Sequence, residues 1–154
     1  MSSAAMSSAV LIDTNVLVYA HDRGEPDKQR QAFQTLEALQ LSQRGRLSVQ
    51  CLAEFFSLTT RGARPKLTVS EAARQVDDLA RAWPVLNLTP LIVLEAVRGV
   101  REHKLSYYDA QIWATAKLNQ LPVIFSEDFA VGSALEGVRF VNPFEPSFVM
   151  QNWV

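Results

Sequence analysis

The chain has 154 residues, of which 48% are hydrophobic and 20% charged, with a formal net charge of −1. That composition fits one domain with a sizeable core and excludes global disorder and a uniformly basic surface that coats nucleic acid, though not a local basic patch. Cys51, the single cysteine, excludes an intramolecular disulfide and a cysteine-rich zinc site; it reads as a small core residue.

The opening MSSAAMSS lacks the basic start and long apolar stretch of a secretory signal. It reads as a disordered end, residues 1–8, with Met6 an alternative start. No apolar run approaches the ~20 residues needed to cross a bilayer, so the expectation is a cytoplasmic protein with no membrane partner. A single domain is expected over 9–145. The short strands expected at 10–12, 47–49, 85–88, 123–125 and 138–141 are apolar on both faces, as in a sheet covered on both sides. Helices are expected between them. One runs over 26–42 and a short apolar one over 52–60. A third, 70–83, opens at Ser70-Glu71 and is closed by Pro84. The fourth starts at Thr89-Pro90, a capping hydroxyl followed by proline, and buries Ile92, Val93, Ala96, Val97 and Val100. The last spans 106–119. Alternation of strand and helix with right-handed crossovers gives a parallel sheet whose working edge is the carboxyl ends of its strands. The tail 146–154, with Phe144 just before it, is expected to dock on its own domain through Phe144, Phe148, Met150 and Trp153.

Four acids stand at that edge. Asp13 follows the first strand, Glu54 lies one turn into the helix after the second, Asp109 opens the last helix, and Asp128 follows the fourth strand. Each has a plain structural alternative. Asp13 can cap a helix, Asp109 stands three residues after Ser106 in capping-box spacing, and Asp128 can form a turn. Glu54 sits among apolar neighbours and needs a hydrogen-bond partner, a cation or a metal. No lysine or arginine lies within a turn of any of the four. Brought together they would repel one another unless a cation enters, and an all-oxygen set suits Mg²⁺ or Mn²⁺. His21 and His103 are isolated and read as structural or solvated, so zinc is not expected. An acid-lined cleft with a divalent ion suits phosphodiester hydrolysis.

The pieces IDTNVLVYA, VQCLAEFF, LSYYDAQIWATA and IFSEDF, in that order, resemble the PIN-domain ribonucleases, and within them the VapC-type toxins of bacterial toxin–antitoxin pairs. The resemblance implies a three-layer α/β/α PIN fold with a five-stranded parallel sheet in the order 3-2-1-4-5. It implies Mg²⁺- or Mn²⁺-dependent cleavage of RNA, with Asp13, Glu54, Asp109 and Asp128 as the acidic metal-site and catalytic residues. Thr14 and Ser126 match the small hydroxyl positions that orient the acids, and Asn15 the polar residue after them. Glu127 competes with Asp128; the family motif, with its acid two places after the hydroxyl, favours Asp128. A homodimer and an antitoxin peptide that blocks the cleft, often with an arginine, are also implied.

The loop TTRGARPKLT offers Arg61, Arg64 and Lys66 either for RNA phosphates or as a solvated loop. Arg98, Arg101 and Lys104 form a second basic set, read as plain helix surface. Competing classes are a PIN-family housekeeping RNase, an inactive PIN-like module that binds RNA or protein, a phosphate-accepting receiver domain and a haloacid-dehalogenase-type phosphatase. The receiver reading fits poorly because the third strand ends in Asn87-Leu88-Thr89, and Asp13-Thr14-Asn15 lacks the phosphatase's second acid.

Overall fold

The computed structural model describes residues 9–129 and 133–154; the expected disordered segment 1–8 lies outside the described residues. Six strands form one sheet in the order β3-β2-β1-β4-β6-β5. They are β1 (Val10–Ile12), β2 (Gly45–Ser48), β3 (Val85–Leu86), β4 (Val123–Phe125), β5 (Ala134–Leu135) and β6 (Val138–Val141). The helices are α1 (Thr14–Tyr19), α2 (Pro26–Ser42), α3 (Val49–Thr60), α4 (Val69–Ala82), α5 (Pro90–His103) and α6 (Tyr107–Leu118). The expected five strands pair in parallel; the addition is β5, which pairs antiparallel with β6 across a tight turn at Glu136-Gly137. Two residues long, β5 was too short to show a strand pattern.

All three residues of β1 are fully buried. Successive side chains of a strand point to opposite faces, so both faces of the sheet are covered there. Pro26 and Asp27 open α2, and Gln43 ends it in the left-handed conformation, φ 62°, donating to Leu39 and Gln40.

Several boundaries differ from expectation for local reasons. Ser48 leaves β2 to cap α3, its hydroxyl accepting from Cys51 N at 3.2 Å, so that helix starts at Val49. Thr68, rather than Ser70, caps α4, in a reciprocal capping box with Glu71. Ser106 precedes α6 without any side-chain cap bond, so the capping-box alternative for Asp109 is not what forms. The six-residue α1 was too short to show a helical period; Asp13 caps it, its carboxylate accepting from Thr14 N.

The buried face of α5 is corrected. Ile92, Ala96 and Gly99 face inward, whereas Val97 and Val100 are 49% and 36% exposed. Gly99 sets that rotation by lying flat against the Trp113 ring of α6, and Trp113 is fully buried with its indole N–H donating to Leu135 O at 3.1 Å. On the same helix, Arg98 pairs with Glu95, Glu102 and Glu136, each at 2.7 Å. Lys117 of α6 joins Glu95 and Glu136, and His103 meets Glu136. The tail packs on its own domain: Phe148 and Trp153 meet Phe125 edge-on, and Phe144 meets Tyr19. Among the described residues no helix is long and apolar enough to cross a membrane.

A methyl group at Gly99 would stand 2.8 Å from the Trp113 ring. Alanine normally gains about 1 kcal/mol over glycine inside a helix. Here the clash reverses that sign, and Gly99→Ala is expected to cost about 1–3 kcal/mol. Chemical denaturation measures it; a variant as stable as the parent or more so would refute the packing account.

Candidate functional site

The central strands β1 and β4 run side by side in parallel, with Ile12 opposite Phe125, and Asp13 N donates to Phe125 O at 2.9 Å. From β1 the chain winds outward to β2 and β3; β4 begins the other half on the opposite side of β1. The crevice between their carboxyl ends is thus the place where strand order reverses, the usual ligand position in an open α/β sheet.

Asp13 leaves β1 and Ser126 leaves β4 at that crevice. Both oxygens of Asp13 are held, Oδ1 by Thr14 N and Oδ2 by the Ser126 hydroxyl, each at 2.7 Å. Ser126 Oγ in turn accepts from Asn15 Nδ2 at 3.2 Å and from Asp128 N at 3.1 Å. Glu127 N donates to Asn15 Oδ1 at 3.4 Å. The short loop after β4 is therefore laced to the start of α1, fixing Asp13 and Asp128 on one rim.

A cavity of about 290 Å³ opens there, and Asp13, Glu54, Asp109 and Asp128 all line it, with Thr14 and Asn15. Glu54 reaches it from α3 and Asp109 from the first turn of α6. The carboxyls stand around the wall rather than in a tight cage: among the described residues no three Asp, Glu, His or Cys side chains are grouped closely enough to hold one ion as placed. The charges of Asp128 and Asp109 nonetheless reach Asp13, and that of Asp109 reaches Asp128.

Asp13 is 5% exposed, and its burial, with the charges of Asp128 and Asp109, pushes its pKa up to about 7 against the pull of Ser126 and Thr14. Burial, followed by Asp109 and Glu127, also raises Asp128, although an Asn15 hydrogen bond opposes it. Glu127 is a different kind of acid. Lys28 pairs with it at 2.5 Å and the Tyr19 hydroxyl donates to it at 2.7 Å, so its charge is already balanced.

Sequence neighbours offered the acids no cation, but the fold brings Lys66 to the cavity wall from the α3–α4 loop. Arg64 lines an adjoining groove instead, and Arg61 is exposed and on the wall of neither. Arg98 is committed to its three glutamates and is not free for phosphate.

Two buried glutamines were missed in the sequence. Gln50 Nε2 donates to Glu54 Oε1 at 2.6 Å and to Tyr108 O at 3.1 Å. Gln111 Nε2 donates to Gln50 Oε1 at 2.8 Å, and Tyr107 donates to Gln111 Oε1 at 2.8 Å. This relay ties Glu54 on α3 to the helix that carries Asp109. A signal existed: Gln50 stands four residues, about one helical turn, before Glu54, and Gln111 two after Asp109, each the one amide side chain of its helix.

The donor set fits a hard divalent cation. It is all oxygen, with neither imidazole nor thiolate, and it includes a buried hydroxyl, Thr14 Oγ1, that makes no geometrically good hydrogen bond among the described residues. The neighbouring Cys51 thiol points to Ile12 O at 3.3 Å instead. Burial pushes that thiol up to about 12, which makes it inert at neutral pH.

The chain is thus an open, mostly parallel α/β sheet with carboxylates at its switch point. The PIN domain family model matches residues 10–131, and the chain belongs to that family. Among solved structures it is similar to a toxin–antitoxin complex from Klebsiella pneumoniae, with 24% identity and a TM-score of 0.65, covering 89% of this chain and 99% of that one. It is also similar to Mycobacterium tuberculosis VapC20, described as a Sarcin-Ricin loop cleaving toxin, with 19% identity and a TM-score of 0.60, covering 85% and 99%. Both likenesses bear on the fold. No curated protein matches the sequence.

The raised Asp13 predicts a pH effect in chelating buffer. A carboxyl whose folded pKa lies above its unfolded value favours folding at low pH, and that contribution disappears as pH rises from about 4 to about 7. It amounts to at most about 4 kcal/mol. Burial lowers His21, which works in the opposite direction through the His range, so the comparison must be with Asp13→Asn, which keeps His21. Denaturation at pH 5 and pH 8 is expected to show the parent losing more stability than Asp13→Asn. Equal pH dependence in the two proteins would mean that Asp13 ionises freely.

Proposed function

We propose that the chain is a metal-dependent endoribonuclease that hydrolyses RNA phosphodiester bonds, and that it is the toxin of a toxin–antitoxin pair. The observation that carries the reading is the convergence of Asp13, Glu54, Asp109 and Asp128 on one cavity at the switch point. A module that only binds has no need of four carboxylates around one cavity, where like charges repel.

Asp13 and Asp109, with Glu54, would hold Mg²⁺ or Mn²⁺, and Asp128 would complete a second, weaker position or position the water. The ion, when bound, supplies positive charge to the phosphoryl oxygens and lowers the pKa of water. The protein's own part is positional. Ser126 and Thr14 N lock both oxygens of Asp13, and Asn15 holds Ser126. Gln50 fixes Glu54 and is itself fixed by Gln111. Lys28 and Tyr19 draw Glu127 aside, which limits the negative charge that a phosphate meets. Lys66 offers a cation at the wall. Attack of water on phosphorus with loss of the 3′-oxygen gives a 5′-phosphate and a 3′-hydroxyl.

The toxin reading rests on the two structural neighbours, both described as toxins or toxin complexes. It implies a small antitoxin whose basic segment enters the acidic cavity, and a homodimer.

Labelled RNA incubated with Mg²⁺ or Mn²⁺ is expected to be cut internally, and a chelator to stop the reaction. Asp13→Asn and Asp109→Asn are each expected to lower the rate by about 10³-fold or more, on the scale of about 4 kcal/mol of lost transition-state stabilisation. Full metal-dependent cleavage by either variant would defeat the assignment. Growth arrest on expression that Asp13→Asn abolishes would favour the toxin over a housekeeping RNase.

A further inference from the structure

We infer that the basic groove beside the acidic cavity is the path of the single-stranded RNA backbone on one side of the scissile bond, with Arg23, Arg64 and Arg74 as its phosphate-holding residues and Lys66 at the junction. The inference rests on the ribonuclease reading above.

The groove has a volume of about 740 Å³ and shares Asp22 and Lys66 with the wall of the acidic cavity, so the two are continuous. Its cations come from three parts of the chain. Arg23 lies in the connection from α1 to α2, Arg64 and Lys66 in the connection from α3 to α4, and Arg74 within α4. A solvated helix face would draw them from one element.

All four side chains are exposed, and none forms an ion pair with a described residue. Lys28, Arg98 and Lys117, by contrast, are each held by a carboxylate. The acids on the groove wall are Asp22 and Glu71, two against four cations, so the groove carries a net positive charge of two. Both are hydrogen-bonded locally, Asp22 Oδ1 accepting from Gly24 N at 3.0 Å and Glu71 Oε1 from Thr68 N at 3.1 Å, and Arg23 and Arg74 act on Glu71 only through charge at longer range.

RNA brings one negative charge per nucleotide to a cavity that is itself acidic, so the approach needs cations beside the acids. Arginine forks suit phosphate oxygens, and such contacts give affinity and register without reading bases. An acidic peptide could match the charge alone. A groove that opens directly into the place of phosphodiester cleavage must carry the polynucleotide onward from the cut, which favours RNA.

The test uses the full chain, a fluorescent single-stranded RNA and a chelator to prevent cleavage. The triple variant Arg23→Gln/Arg64→Gln/Arg74→Gln is compared with Arg81→Gln/Arg101→Gln/Arg139→Gln, whose arginines line neither cavity. The groove variant is expected to bind at least about tenfold more weakly, with the slope of log Kd against log salt concentration shallower by about 2. The control variant is expected to stay within about twofold of the parent. The replaced side chains are exposed, and a thermal melt confirms folding. Parental RNA affinity in the groove variant overturns the inference, as does equal weakening in both triples, which would reduce the effect to overall charge. Loss of acidic-peptide binding with RNA binding intact overturns it in favour of a peptide site. Failure of the ribonuclease reading looks different: the parent binds RNA through the groove but cuts nothing with Mg²⁺ or Mn²⁺, or Asp13→Asn still cuts.

Discussion

The hydrogen bond from the Ser126 hydroxyl to Asp13 joins the ends of the two central strands, and the site depends on it. A carboxylate at the end of a fully buried strand has lost most of its water. It keeps its place because the backbone of α1 grips one oxygen and the loop after β4 grips the other. The parallel pairing of β1 with β4 makes that grip possible, since it ends both strands at the same level. The sheet order and the acid are thus one feature: shift either strand by a residue and Ser126 loses Asp13.

Around this fixed point the other polar groups divide by whether their charge is already answered. Glu127 lies on the same cavity as Asp128, yet Lys28 and Tyr19 satisfy it. Among the described residues no cation pairs with Asp128, and it responds to its acidic neighbours. Glu54 is steered by a chain of amides, Gln50 and then Gln111, which sets its direction. Across the molecule, the cluster of Glu95, Arg98, Lys117 and Glu136 does structural work, binding α5, α6 and the β5–β6 turn around Trp113.

Much of the fold was legible because its signals are local. Val10–Ile12 reads as a buried strand, Pro26 marks a helix start and Thr89-Pro90 another, and each element lies where its signal stands. The acids could be placed on one edge by topology alone. What escaped was decided by partners distant in sequence. The rotation of α5 follows from a tryptophan in another helix, so Val97 and Val100 fall on the outer side against expectation. Gln50 and Gln111 gain meaning only from each other, 61 positions apart. Lys66 and Arg64 sit two residues apart in one loop and both line the groove, yet Lys66 also reaches the acids and Arg64 does not, a split that depends on the path of the loop.

The inert state of Cys51 reaches beyond packing. The chain carries no other thiol, and this one is sealed inside and held in its protonated form. A cysteine placed on the surface would therefore be the sole target for a maleimide dye, with no native residue to remove first. Probes could be set along either wall of the acidic cavity, and the approach of a labelled oligonucleotide followed by energy transfer in the otherwise unaltered protein.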